Sequence, residues 1–138
     1  AMGRIKSKNT LNSIIENLRI NNNQDLLLRH AGIIALSRIA TSEELEEYTS
    51  DKSDAVRLAC VVALRRMQSP LIEVFLKDKN EFIVTEAARG INDDYSIKTS
   101  LPALADQPSM LEGALDFLNQ KEYLYSSTAS QILLYCHI

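Results

Sequence analysis

The sequence predicts an all-α fold, arranged as a right-handed α-solenoid of stacked helix pairs. Three observations carry this expectation. Of 138 residues, only four are glycine and three proline, about 5% where roughly 12% is usual. An all-β fold draws on these residues for its many turns, so their scarcity disfavours that class. Apolar residues recur at helical spacing, and a helix-length segment repeats at roughly 27–28 residues, a period that marks helical repeats.

The repeat is read as follows. Leu28-Arg29-His30-Ala31-Gly32-Ile33-Ile34-Ala35-Leu36 aligns with Val56-Arg57-Leu58-Ala59-Cys60-Val61-Val62-Ala63-Leu64. The same step onward reaches Val84-Thr85-Glu86-Ala87-Ala88-Arg89-Gly90-Ile91, where Ala87 matches Ala59 and Ala31 and the arginine is lost at Thr85. The approaches Asp51-Lys52-Ser53-Asp54 and Asp78-Lys79-Asn80-Glu81 stand one position closer together than that step, so the turn before the third copy is one residue longer.

Each element has a local reason. Leu11, Ile14, Ile15 and Leu18 share one face of a helix over about Thr10–Ile20, and Asn21-Asn22-Asn23 reads as a turn. Thr41 with Glu44 three residues later is a capping box. It opens a short helix ending near Tyr48, with Glu43, Glu44, Glu46 and Glu47 on its first turn and polar face. Val56, Ala59, Cys60, Ala63 and Met67 form the stripe of the best-defined helix, where small alanines let neighbours approach closely. Pro70 suits the first turn of the next helix, which carries Leu71, Ile72, Val74, Phe75 and Leu76. Asn92-Asp93-Asp94 ends the third copy, and Leu101-Pro102-Ala103-Leu104-Ala105 follows a loop. Pro108 and Ser109 precede a helix over Met110–Asn119, with Leu111, Ala114, Leu115 and Leu118 in its stripe, and a last helix over about Glu122–Tyr135. Eight to nine helices of about 8–15 residues are expected. Residues 1–138 then form one domain: 1–7 a disordered tag remnant, 8–107 three to four helix-pair repeats, and 108–138 a terminal pair or cap. Such pairs bury their apolar faces only by stacking.

The pattern Asp-x-x-Val-Arg-x-x-Ala-x-x-Ala-Leu, carried with the Asp shifted by one over Asp54–Leu64, resembles bacterial HEAT-like repeats. Arg29 to Gly32, Ala55 to Arg66, Glu86 to Asp93 and Leu101 to Leu104 together resemble the HEAT segment of a group of large bacterial envelope proteins. In that group a sugar-dehydrogenase-like β-propeller precedes the helical repeats and a c-type cytochrome domain follows. The resemblance covers about residues 25–106. It implies a fragment of a multidomain protein with its redox parts elsewhere, and a periplasmic or envelope location. The chain departs from that group in having no Cys-x-x-Cys-His and nothing like a propeller, so no catalytic residue carries over.

Composition narrows the partners. The 46% hydrophobic share excludes a disordered tail. Fifteen basic and 18 acidic residues give a net charge of −3, a poor match to the phosphate backbone of nucleic acid. No apolar run is long enough for a membrane span, so no membrane insertion is expected. A HEAT-like nucleic-acid-binding or DNA-repair protein is the alternative. It needs a basic face with aromatic residues, and here only Arg65, Arg66 and Arg89 are available, with no tryptophan.

No catalytic residue, cofactor site or metal site is expected. His30 has Ile33 and Ile34 where a metal partner would stand, so it reads as a packed or groove-lining histidine. His137 and Cys136 lie at the chain end, and Cys60 reads as a small core residue. Asn92, Asp93 and Asp94 read as helix-ending and turn-capping groups. Arg29 and Arg57 read as a structural ladder pairing with the turn between repeats, with Asp51 and Asp54 as partners. The expected function is a non-catalytic protein-interaction or spacer module, its partner a protein or adjoining domains of the parent chain. Opposite the stripe lie Ile33 and Val61 and the candidate interaction face itself: His30, Ser37, Leu58, Arg65, Glu86, Arg89 and Asp93. Leu124, Ile132, Leu133 and Leu134 could face a further repeat or form a weak homodimer through an exposed end.

Overall fold

The computed structural model describes residues 2–92 and 97–105. Among them are six α-helices and two 3-10 helices, with no strand, so the all-α class holds. The expected helices over Met110–Asn119 and Glu122–Tyr135, the turn residues Asp93, Asp94 and Pro108, the terminal Cys136 and His137, and the end-facing Leu124, Ile132, Leu133 and Leu134 lie outside the described residues. The chain divides into two compact units, Ala1–Met67 and Gln68–Ile138.

In the first unit, α1 spans Met2–Asn21. It begins well before the expected Thr10, and residues 2–7 are helical where disorder was expected. Arg4, Lys6 and Lys8 are straight-chain helix formers, and Gly3 falls in the first turn, where its entropy cost weighs least. Leu11, Ile15 and Leu18 are buried along one face. The asparagine triplet ends the helix: Asn22 (φ 45°) and Asn23 (φ 62°) are left-handed, a conformation asparagine tolerates better than most residues. Asn21 clamps the turn, its amide donating to the Asp25 carbonyl at 3.0 Å and its Oδ1 accepting from Asp25 N–H at 2.9 Å.

Helix α2 spans Leu26–Ile39, with Asp25 as N-cap accepting from Leu27 N–H at 2.8 Å and Leu28 N–H at 3.1 Å. It packs against α1, and Gly32 marks the close approach. A Cβ on Gly32 would stand 2.7 Å from Leu18 Cδ2 and 3.0 Å from Leu18 Cγ. Helix α3, Ser42–Glu46, carries the expected capping box: Glu44 N–H donates to Thr41 Oγ1 at 3.2 Å, and Thr41 N–H to Glu44 Oε2 at 2.9 Å. Helix α4, Asp54–Arg66, is capped by Ser53 and contacts both α1 and α2. The run Ala55–Val61, with Ala63 and Leu64, is buried.

In the second unit, the expected helix after Pro70 is a 3-10 helix, Pro70–Lys77. Three residues per turn set Ile72 and Phe75 directly above one another, and both are fully buried while Val74 faces out. Helix α5, Glu81–Ile91, starts at Asn80, whose side chain accepts from Phe82 N–H at 3.0 Å. It packs on this 3-10 helix through a core that includes Ile83, Val84, Ala87, Ala88 and Ile91. Thr85, where the repeat loses its arginine, is buried and satisfies its hydroxyl on the Glu81 carbonyl at 2.8 Å. A second 3-10 helix, Lys98–Ser100, leads into α6, Leu101–Ala105, whose Leu104 is buried.

Helix starts recur with a regular period. The N-caps Asp25, Ser53 and Asn80 form one series, and Thr41, Ser69 and Ile97 a second. Within each series the step is about 28 residues, as the sequence repeat requires. Five of the six cap through a side-chain oxygen, which satisfies orphan N–H groups at a helix start. The approach turns repeat too: Ser53 N–H donates to Asp51 Oδ1 at 2.8 Å, and Asn80 N–H to Asp78 Oδ1 at 2.8 Å. Against expectation, then, the third approach is not longer, and the extra residue falls inside the first turn of α5.

Candidate interaction faces

Asp51 ties three elements of the first unit together. Its Oδ1 holds the turn through Ser53, its Oδ2 accepts from Arg19 Nη2 of α1 at 2.6 Å, and its carbonyl accepts from Arg57 Nη1 of α4 at 2.6 Å. Arg57 Nη2 also meets Asp54 Oδ1 at 2.6 Å. Arg19 further pairs with Glu16, and its hydrogen bond to the Asp51 carboxylate holds its guanidinium pKa above the already high ordinary value. Tyr48 joins the cluster by donating its hydroxyl to Asn12 Oδ1 at 2.9 Å. Burial, with the nearby Glu47 charge, pushes its pKa up. The cluster is structural, because every polar group named here meets a partner within the chain. Of the expected arginine ladder, Arg57 makes the rung to Asp51 and Asp54. Arg29, half-buried, shows no side-chain partner among the described residues.

Helix α2 is apolar on two sides. One side buries Ile33, Leu36 and Ala40. At 100° per residue, Leu27, Leu28, Ala31, Ile34, Ala35 and Ile39 fall within an arc of about 140° on the other side. That arc is partly open: Leu27 is 82%, Leu28 43% and Ile39 36% exposed, while Ile34 and Ala35 are half-buried. Of the equivalent positions one repeat on, Ala55, Val56, Ala59 and Ala63 are buried and Val62 and Met67 half-buried. The contrast is sharpest in the first two turns, where Leu27, Leu28 and Ala31 are exposed and their equivalents Ala55, Val56 and Ala59 are buried. The sequence signal for this face was Leu26-Leu27-Leu28-Arg29-His30-Ala31-Gly32-Ile33-Ile34-Ala35-Leu36. A helix with apolar residues on two sides buries one of them and leaves the other to a further contact.

The residues expected to form an interaction face fall in different environments. In the first unit His30 is exposed, Ser37 is half-buried with its hydroxyl donating to the Ile34 carbonyl at 2.9 Å, and Arg65 is half-buried. Leu58 is only 7% exposed and Val61 fully buried, so both are packing residues, as is Ile33. Leu58 and Val61 sit beside the buried Arg57 on a helix that packs against α1 and α2, which leaves these aliphatic side chains no route to solvent. In the second unit Glu86 and Arg89 are half-buried and pair with each other at 3.0 Å. Asp93 lies outside the described residues.

Among the described residues, chemically reactive groups are few. Cys60 is fully buried, and desolvation pushes its thiol up to about 12, away from the thiolate that nucleophilic chemistry needs. Among the described residues no group of three His, Cys, Asp or Glu is placed to hold a metal ion, and no helix is long and apolar enough to cross a membrane. No family model, curated protein or solved structure matches the chain.

Proposed function

We propose that the chain is a non-catalytic protein-interaction module, built as a HEAT-like α-solenoid and belonging to a larger bacterial protein whose redox parts lie elsewhere. The observation that supports this reading is the regular recurrence of helix starts with matched caps. A repeated pair of capped helices is the unit from which solenoids are made. A passive spacer would serve with the same repeat. Interaction is favoured over spacing because α2 keeps large apolar side chains uncovered, a feature that marks contact surfaces.

Affinity capture tests the reading. The immobilised chain is offered native extracts, and retained proteins are identified by mass spectrometry. The Arg65→Glu/Arg89→Glu variant serves as matched control, since both side chains are half-buried rather than core. A protein held by the wild type and lost by this variant is expected. Retention of none overturns the reading, and equal retention by both moves the contact from these two arginines to the apolar residues of α2.

A further inference from the structure

The turn between α1 and α2 is strained. Asn22 (φ 45°) and Asn23 (φ 62°) are consecutive left-handed residues, neither of them glycine, and that conformation costs free energy even where asparagine adopts it. Asn23 Oδ1 is shut off from water and has no hydrogen-bond partner among the described residues, a further cost. Residues 21–26 contain neither glycine nor proline, so nothing in the segment forbids a helix. The two helices it joins are also in phase. On one straight helix running through the turn, at 100° per residue, Leu11, Ile15 and Leu18 of α1 share an arc of about 60° with Ile33 and Leu36 of α2. All five are buried. Arg29, which shows no side-chain partner among the described residues, stands in the same arc, one turn after Asp25.

We propose that α1 is an exchangeable arm: it unhinges at Asn22 and Asn23 and packs on α2 and α4 of a second copy of the chain, whose own α1 takes the vacated place. The occupant follows from the contacts α1 already makes. Leu18 against Gly32, Arg19 on Asp51 at 2.6 Å and Tyr48 on Asn12 at 2.9 Å all join α1 to the rest of its unit, and exchange remakes each of them between copies without a new surface. Opening releases the two left-handed residues into right-handed helix. It gives up the Asn21 clamp and the Asp25 cap. With no helix start at Leu26, the N–H groups that the cap served bond within the continuous helix instead. The freed Asp25 carboxylate then meets Arg29 in the favourable i, i+4 order. The in-phase stripes let one side of the straight helix serve both copies. Short hinges under strain are where such exchange starts. Because both forms make the same contacts, concentration decides between the closed monomer and the exchanged dimer. This goes beyond the interaction reading, and it rests on the hinge rather than on the exposed side chains of α2.

Refolding the full chain from denaturant at about 5 µM and at about 500 µM, followed by sedimentation velocity, tests it. The dilute sample is expected to give the 15.5 kDa monomer, and the concentrated one a slowly exchanging dimer of twice that mass. Asn22→Ala/Asn23→Ala disfavours the left-handed turn and should raise the dimer-to-monomer ratio at least about tenfold. Asn22→Gly/Asn23→Gly relieves the strain in place and should lower the ratio. A mixing experiment then identifies what is exchanged. Arg19→Asp and Asp51→Arg each set like charges together within one chain. An exchanged pair built from one copy of each variant restores opposite charges at both sites. Co-refolding the two should therefore enrich the mixed dimer above its statistical share, read by native mass spectrometry. Monomer under every condition overturns the proposal. So does a dimer whose share is the same in the alanine and glycine variants, or a mixed dimer at no more than its statistical share. If either charge variant fails to fold, the hinge variants decide alone. None of these outcomes touches the capture comparison, whose variant residues lie on α4 and α5.

Discussion

Arg57 donates through Nη1 to the backbone carbonyl of Asp51 at 2.6 Å, from a side chain that is 3% exposed. One guanidinium thereby fixes the turn that launches its own helix. Its second nitrogen, on Asp54 at 2.6 Å, closes the first turn of α4. Removing it unpairs a carbonyl and empties the space of a long buried stem.

Arg57→Ala should therefore cost about 2–4 kcal/mol of stability, whereas Asp54→Ala should cost under about 1 kcal/mol. The asymmetry follows from exposure, since the Asp54 carboxylate is half exposed and water can replace its partner. Urea denaturation of both variants checks the ordering. Equal losses would mean that the ion pair, and not the bond to the turn carbonyl, carries the contribution.

Gly32 lies where Leu18 leaves no room for a methyl group. Gly32→Ala gains about 1 kcal/mol of helix propensity, but overpacking against a buried Leu18 costs about 1–3 kcal/mol. The clash wins, because Leu18 Cγ as well as its methyl end is in the way. A net loss near about 1 kcal/mol is expected. In a Leu18→Ala background the same change should turn stabilising, and a double-mutant cycle measures that reversal.

Ala59 is fully buried in the α4 stripe. Ala59→Asp places an unpaired carboxylate there, a loss of several kcal/mol. The variant should lose its cooperative thermal transition by circular dichroism. An unchanged melt would remove Ala59 from the core.

Alkaline pH should destabilise the chain through Cys60. Its thiol is pushed up to about 12 in the folded protein, while an unfolded thiol titrates near about 8.5. Below about pH 8 both states hold the proton, so this contribution is fully present. As pH rises through that unfolded value and on towards the folded one, only the unfolded state releases its proton, and stability falls. The raised Tyr48 hydroxyl acts in the same direction at higher pH. In a Cys136→Ser background, a thiol reagent at about pH 8 should leave native Cys60 unmodified and label it fully in denaturant. Rapid native labelling would contradict its burial.

The helical class was legible in the sequence because its evidence is local. Thr41 with Glu44, Ser53 before Asp54, and Pro70 after Ser69 each carry their own capping or breaking chemistry, and the structure uses all of them. The asparagine turn was legible for the same reason. The 3-10 winding of Pro70–Lys77 was not, since α and 3-10 periods separate poorly over so short a segment. Burial was less legible. Leu28 and Val56 occupy the same repeat position, yet Val56 is fully buried and Leu28 is 43% exposed. Nothing in either residue's own surroundings along the chain distinguishes them. The difference comes from which helices lie alongside, which is a tertiary property.

The claim that the chain is a stack of like helix pairs has one direct measurement. Deleting residues 42–69, one full period, joins Thr41 to Pro70 and puts one N-cap in the place of another. Interchangeable pairs predict a shorter protein that keeps its helicity per residue and melts in a single cooperative transition by circular dichroism, at a lower midpoint because one pair is gone. Deleting residues 42–65 instead breaks the period and should abolish that transition. An unfolded product from the in-period deletion, or equal behaviour of the two, would contradict the repeat.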